Sequence, residues 1–134
     1  MKLRFLVLVA IGGVFLLGAG SATALTRYET KVTLDSSVPV GNGFFVDSGR
    51  VIEKPRCQDL GRPVRLIGVK ADGTTRLLDW TLTSLPGDAW ATNSRHAGFA
   101  RVAAKVGRSN KHGPSGHQWI CTGASVQVFP SSAP

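Results

Sequence analysis

Residue types able to carry chemistry gather in the last quarter of the chain. His112, His117 and Cys121 fall within one short stretch, and a histidine pair with a thiolate is a donor set that zinc or copper accepts. That stretch holds no acidic side chain to complete a site, and Cys121 ceases to be a ligand once it is oxidised. Two histidines in a polar loop are expected to be solvated, so no metal and no cofactor is expected. Nucleophilic catalysis needs a serine or cysteine, a base within hydrogen-bond reach and an orienting acid. Gly113-Pro114-Ser115-Gly116-His117 places a hydroxyl near an imidazole but reads as turn chemistry, and no Gly-x-Ser-x-Gly elbow occurs. The 8 acidic residues are scattered singly, which is not the paired arrangement that glycoside hydrolysis uses. A non-enzymatic chain is expected.

Binding chemistry is better represented. Trp80, Trp90 and Trp119 offer stacking surface. Trp90 sits in a strand pattern and is expected in the core. Trp119 borders a basic stretch, and Trp80, beside Asp79, is left open between core and surface. Single-stranded nucleic acid wants aromatics interleaved with cations along a groove. Only Trp119 meets that description, so nucleic acid is not the expected partner.

The elements that must position these residues begin after an export segment. Lys2 and Arg4 precede an apolar run from Phe5 to Leu17, and small residues end in Ala22-Thr23-Ala24. This is the layout of a secretory signal over residues 1–24, with cleavage after Ala24. An uncleaved anchor is the alternative, since the apolar character nearly reaches the ~20 residues that a bilayer needs, although four glycines interrupt it. After cleavage no membrane span remains, and the protein is expected to be secreted or held in the cell envelope. The 16 basic residues include Lys2 and Arg4, so the exported chain keeps 14 against 8 acidic ones, a net +6. A basic surface favours anionic partners and also solubility.

About 110 residues remain, enough for one domain and one core. Export delivers Cys57 and Cys121 to an oxidising compartment, where they are expected to pair. A loop of that length corresponds to roughly 4 kcal/mol in the chain-entropy model. No Asn-x-Ser/Thr acceptor occurs.

Short runs of alternating apolar and polar residues, broken by turn residues, predict an all-β domain over residues 25–130: a single seven-stranded antiparallel β-sandwich, followed by a frayed tail, 131–134. The predicted strands are 28–34, 44–52, 64–70, 75–83, 89–92, 98–106 and 119–129. Gly49 inside the second suggests a bulge or a close backbone approach. Residues 35–43 and 107–118 are expected as loops, and Ala71-Asp72-Gly73 as a hairpin turn. Val32, Leu34, Val51, Val64, Leu66, Trp90, Val102, Val106, Val126 and Val128 are expected inward.

Gly49-x-Val51, Cys57, Arg62-x-Val64-x-Leu66, Asp72-Gly73, Thr83, Gly87, Trp90, Gly98-Phe99 and Cys121-x-x-Ala124-Ser125-x-x-Val128 follow one another along the chain. This ordered set resembles that of small secreted bacterial β-sandwich domains of the transthyretin-like or carboxypeptidase-regulatory-like type. The chain departs from them by one extra residue between Gly87 and Trp90 and by a long loop before Cys121. The resemblance implies a sandwich architecture of the Ig-like or prealbumin-like kind, export and a non-enzymatic role, and it carries no site residues.

Strands that alternate in direction would bring both cysteines to one pole. The bridge would then hold residues 53–63 against 107–118, gathering Lys54, Arg56, Arg62, Arg108 and Lys111 beside Trp119, offset by Glu53, Asp59 and Asp88. This pole, rather than the sheet faces, is the expected contact surface for an anionic envelope polymer or a protein partner. The alternative is a secreted inhibitor or small effector that acts on a protein through the loop 107–118.

Overall fold

The computed structural model describes residues 25–58, 61–84, 88–113 and 116–130; the expected signal segment, 1–24, and tail, 131–134, lie outside them. No helix among the described residues is long and apolar enough to cross a membrane.

The described chain is all-β, but with ten strands in three sheets instead of seven in two. They are β1 (Leu25–Tyr28), β2 (Lys31–Gly41), β3 (Phe44–Ile52), β4 (Pro63–Val69), β5 (Thr75–Leu82), β6 (Ala89–Arg95), β7 (Arg101–Val106), β8 (Ser109–His112), β9 (Gln118–Cys121) and β10 (Ala124–Phe129). The sheets run β2-β3-β6, β10-β7-β4-β5 and β1-β9-β8. Two of them form a sandwich, touching at both edges, where β10 lies against β2 and β5 against β6. The Asn93 N–H donates to the Asp79 carboxylate at 2.9 Å across the second of these edges.

The three extra strands have separate causes. The first predicted strand divides around Glu29-Thr30: β1 pairs in parallel with β9, while β2 pairs with β3. β2 also continues through the Ser/Pro-rich stretch expected as loop and turns at Asn42-Gly43, both at positive φ. Composition argued against a strand there, but Pro39 is tolerated because β2 is an edge strand, where one side has no ladder to complete. Within the expected loop 107–118, β8 folds back on β9. The last predicted strand breaks at Thr122-Gly123, because the backbone leaves the small sheet for the sandwich there. The Thr122 N–H donates to the Tyr28 carbonyl, and a Cβ on Gly123 would stand 2.9 Å from the Val106 carbonyl oxygen.

The core follows the alternation. Val32, Val51, Val64, Leu66, Trp90, Val102, Ala104, Val106 and Val128 form one buried cluster, with Leu34 and Val126 packed on it. Gly49 is the closest approach. A Cβ there would lie 1.8 Å from the Thr33 carbonyl oxygen and 3.0 Å from Trp90 Cζ2. The bulge falls on the neighbouring strand, at Asp35 of β2, where the register steps from Leu34↔Gly49 to Ser36↔Ser48.

Candidate binding pole

Antiparallel pairing brings the end of β3, the start of β4 and the end of β7 together, with Val64 opposite Val106. Between β3 and β4 the chain makes one 3-10 turn, Pro55–Cys57, started by a proline. Cys57 closes that turn and is bonded to Cys121 at the end of β9, with their Cα atoms 5.8 Å apart and both side chains buried. The bridge thus ties the 53–58 segment to the β8–β9 hairpin.

Trp119 lies over this junction. Its indole N–H donates to the Arg56 carbonyl at 3.3 Å, and the Arg56 guanidinium sits 5.3 Å from the ring centroid. The His117 ring is 5.7 Å away and tilted, while its Nε2 reaches the Thr26 hydroxyl at 3.3 Å. Gly113 leaves room for the ring, since a Cβ there would come within 2.5 Å of it. Of the three candidate donors, Cys121 is in the bridge, His117 is engaged with Thr26 and Trp119, and His112 is exposed at the end of β8.

The expected cations divide into two groups. Lys54, Arg56 and Arg108 are exposed, and Arg108 Nε–H donates to the Asn110 side chain at 3.0 Å. Arg62 is not available at the surface: only 4% of it is accessible. Its guanidinium is paired with the Glu53 carboxylate and donates to the Thr30 hydroxyl and the Gly107 carbonyl. Its backbone N–H donates to Thr83 Oγ1 at 2.8 Å. Arg62 therefore joins β4 to the strand-linking segments beside it, as a tie inside the pole. Lys111 is half-buried and lies near Glu53.

Burial pushes the Glu53 carboxyl above its ordinary value; Arg62 holds it down, and the neighbouring Asp88 adds to the rise. Asp88 is itself buried, at a positive φ of 50°, and its two carboxylate oxygens make no hydrogen bond among the described residues. The Arg62–Glu53 pair, with Asp88 as a second acid beside it, makes this a buried ionic plug with one more acid than guanidinium.

A second buried polar cluster escaped the sequence reading. Asp47 and His96 are 0% and 1% exposed. His96 Nε2 is 2.9 Å from one Asp47 oxygen, and the Ser37 hydroxyl donates to the other at 2.6 Å. Phe45 stacks on the imidazole at 4.5 Å, and Phe129 stands tilted to it at 5.3 Å. This acid–imidazole pair is buried and ties together β2, β3 and the end of β6. Alternation held the signal: Asp47 shares its face with Gly49 and Val51, and His96 continues the face of Trp90, Thr92 and Ser94. A charged residue on an inward face requires a buried partner.

Of the three tryptophans, Trp90 is in the core at 2% exposure and Trp80 is 58% exposed. No family model matches this sequence, and no curated protein or solved structure is significantly similar to it.

Proposed function

We propose that this chain is an exported, non-enzymatic binding module of the cell envelope or the extracellular space, and that the pole around Cys57–Cys121 makes its contact. The observation that carries this reading is the Arg56–Trp119 pair beside the disulfide: a cation and an indole held together on a braced surface, with Lys54 and Arg108 exposed nearby. Bracing lowers the ordering cost of binding, and the mix of charge and aromatic area suits an acidic glycopolymer. Export is supported by the leader-like residues 1–24 and by the bridge, which persists in oxidising compartments.

A second reading keeps one observation of its own. β8 is the outer strand of the small sheet, and an edge strand can add a strand from a protein partner. An inhibitor or effector would use this edge within 107–118.

The test is adsorption of the exported protein to immobilised polygalacturonate over a salt series. Lys54→Glu with Arg108→Glu should weaken binding by about tenfold and flatten its salt dependence, since exposed charges act through a screened field. Lys111 is left unchanged because reversing it would set an acid near Glu53. Unchanged binding by the folded double variant would remove the pole from consideration.

A further inference from the structure

The outer face of the four-stranded sheet is a second surface, which borders the pole at the start of β4, where Arg65 and Arg108 line one depression. Register sets its rows: Trp80 stands opposite Arg65, which stands opposite Lys105, and the next row runs Leu77, Ile67 and Ala103. Leu82 lies two residues from Trp80 on the same side of β5. Trp80, Leu77 and Leu82 are 58%, 51% and 50% exposed, all on one edge strand. Leu77 belongs here because of a bulge: the register passes from Leu66↔Asp79 to Ile67↔Leu77, skipping Leu78, which packs on the core.

The charge on this face has one sign. Arg65, Lys105 and Arg101 project from β4 and β7, are exposed, and are in no ion pair among the described residues. The only acid on the four strands is Asp79. Its two carboxylate oxygens are occupied by the backbone N–H groups of Trp80 and Asn93. The face is thus a broad apolar strip beside unneutralised cations.

We propose that this face docks on an anionic phospholipid surface. Trp80, Leu77 and Leu82 would enter the headgroup–acyl boundary, where indoles and aliphatic side chains are favoured. Arg65, Lys105 and Arg101 would lie on the lipid phosphates. The aliphatic residues separate this partner from others of the same charge, because a hydrated glycan or a nucleic acid has nothing to place against Leu77 and Leu82. Single-stranded nucleic acid would also call for several aromatics along a groove, and this face carries one.

The test mixes the exported, disulfide-bonded protein with vesicles of phosphatidylcholine containing phosphatidylglycerol, and with vesicles of phosphatidylcholine alone, and measures co-sedimentation. Binding is expected only with the anionic lipid. A cation near such a surface raises partitioning about fivefold, so Arg65→Gln with Lys105→Gln should lower it roughly 30-fold. Trp80→Ser with Leu82→Ser should lower it at least about tenfold, with the cooperative melting transition retained because both positions are at least half exposed. Brominated lipids should quench part of the wild-type tryptophan emission, and Trp80→Phe should abolish that quenching. Equal binding to neutral vesicles would overturn the proposal, as would an equal loss from Lys31→Gln with Lys54→Gln, exposed cations on β2 and at the pole, which would assign adsorption to net charge. Absent quenching, or binding to a soluble polyanion through Arg65 and Lys105 without binding to vesicles, would also overturn it.

Discussion

Replacing Arg62 by Met keeps most of the side-chain volume and removes the guanidinium from the plug. Glu53 then stays buried, its side chain 0% exposed, beside Asp88 and without its paired guanidinium, with only the Lys111 charge still near it. Breaking a buried pair from one side costs about 3–5 kcal/mol, and the Thr30 hydroxyl and Gly107 carbonyl lose a charged donor in the same step. Against a total stability of roughly 5–15 kcal/mol, that loss should lower the melting temperature by more than about 10 °C. The pH dependence distinguishes this cause from lost packing. Glu53 already has a raised pKa in the folded state, and both effects of Arg62 that hold it down disappear in the variant. Between its ordinary and raised values the folded chain keeps a proton that the unfolded chain has released, so stability falls as pH rises through that window. Removing Arg62 widens the window towards neutrality. The variant's deficit relative to wild type, measured by urea unfolding, should therefore be larger at pH 7.5 than at pH 5. Glu53→Gln in the same background should recover part of it and flatten the pH profile. A deficit below about 1 kcal/mol, or one independent of pH, would refute a plug held by this charge pair.

Gly49→Ala drives a methyl into the Thr33 backbone, 1.8 Å from its carbonyl oxygen. The β2–β3 ladder must then part, and the cost should exceed about 2 kcal/mol by thermal melting, beyond an ordinary surface change. Leu66→Ala, at a site with 0% exposure, should cost about 2–5 kcal/mol in denaturant midpoint terms, and a change under about 0.5 kcal/mol would place that face of β4 at the surface.

Much of the fold was legible because the core is a period-two pattern. Val64 and Leu66 flank Arg65, and Val102, Ala104 and Val106 flank Ala103 and Lys105, so inward and outward follow from alternation alone. Alternation fails where the register slips. Counting back from Trp80 sends Leu78 outward with it, whereas the β5 bulge turns Leu78 in and leaves Leu77 exposed. Composition fails where an edge strand excuses it: the Ser/Pro-rich half of β2 has the composition of a loop. The pole was legible as a place: the cysteine positions and strand alternation predict residues 53–63 against 107–118, and the bridge holds 53–58 to the β8–β9 hairpin that forms there.

By itself, the sequence determined an all-β chain, its inward face and the cysteine pairing, since these follow from local periodicity and from there being two cysteines. Only the tertiary structure decided what each charge does. Arg65 and Arg62 have similar local surroundings, one turned out on β4 and the other turned in just before it. Arg62 meets Glu53 and the Gly107 carbonyl, 9 and 45 residues away, while Arg65 meets solvent. Asp47 finds His96 at a separation of 49. Whether a charge is a tie or a contact depends on partners brought within a few ångströms by strand pairing, and no local pattern encodes that distance.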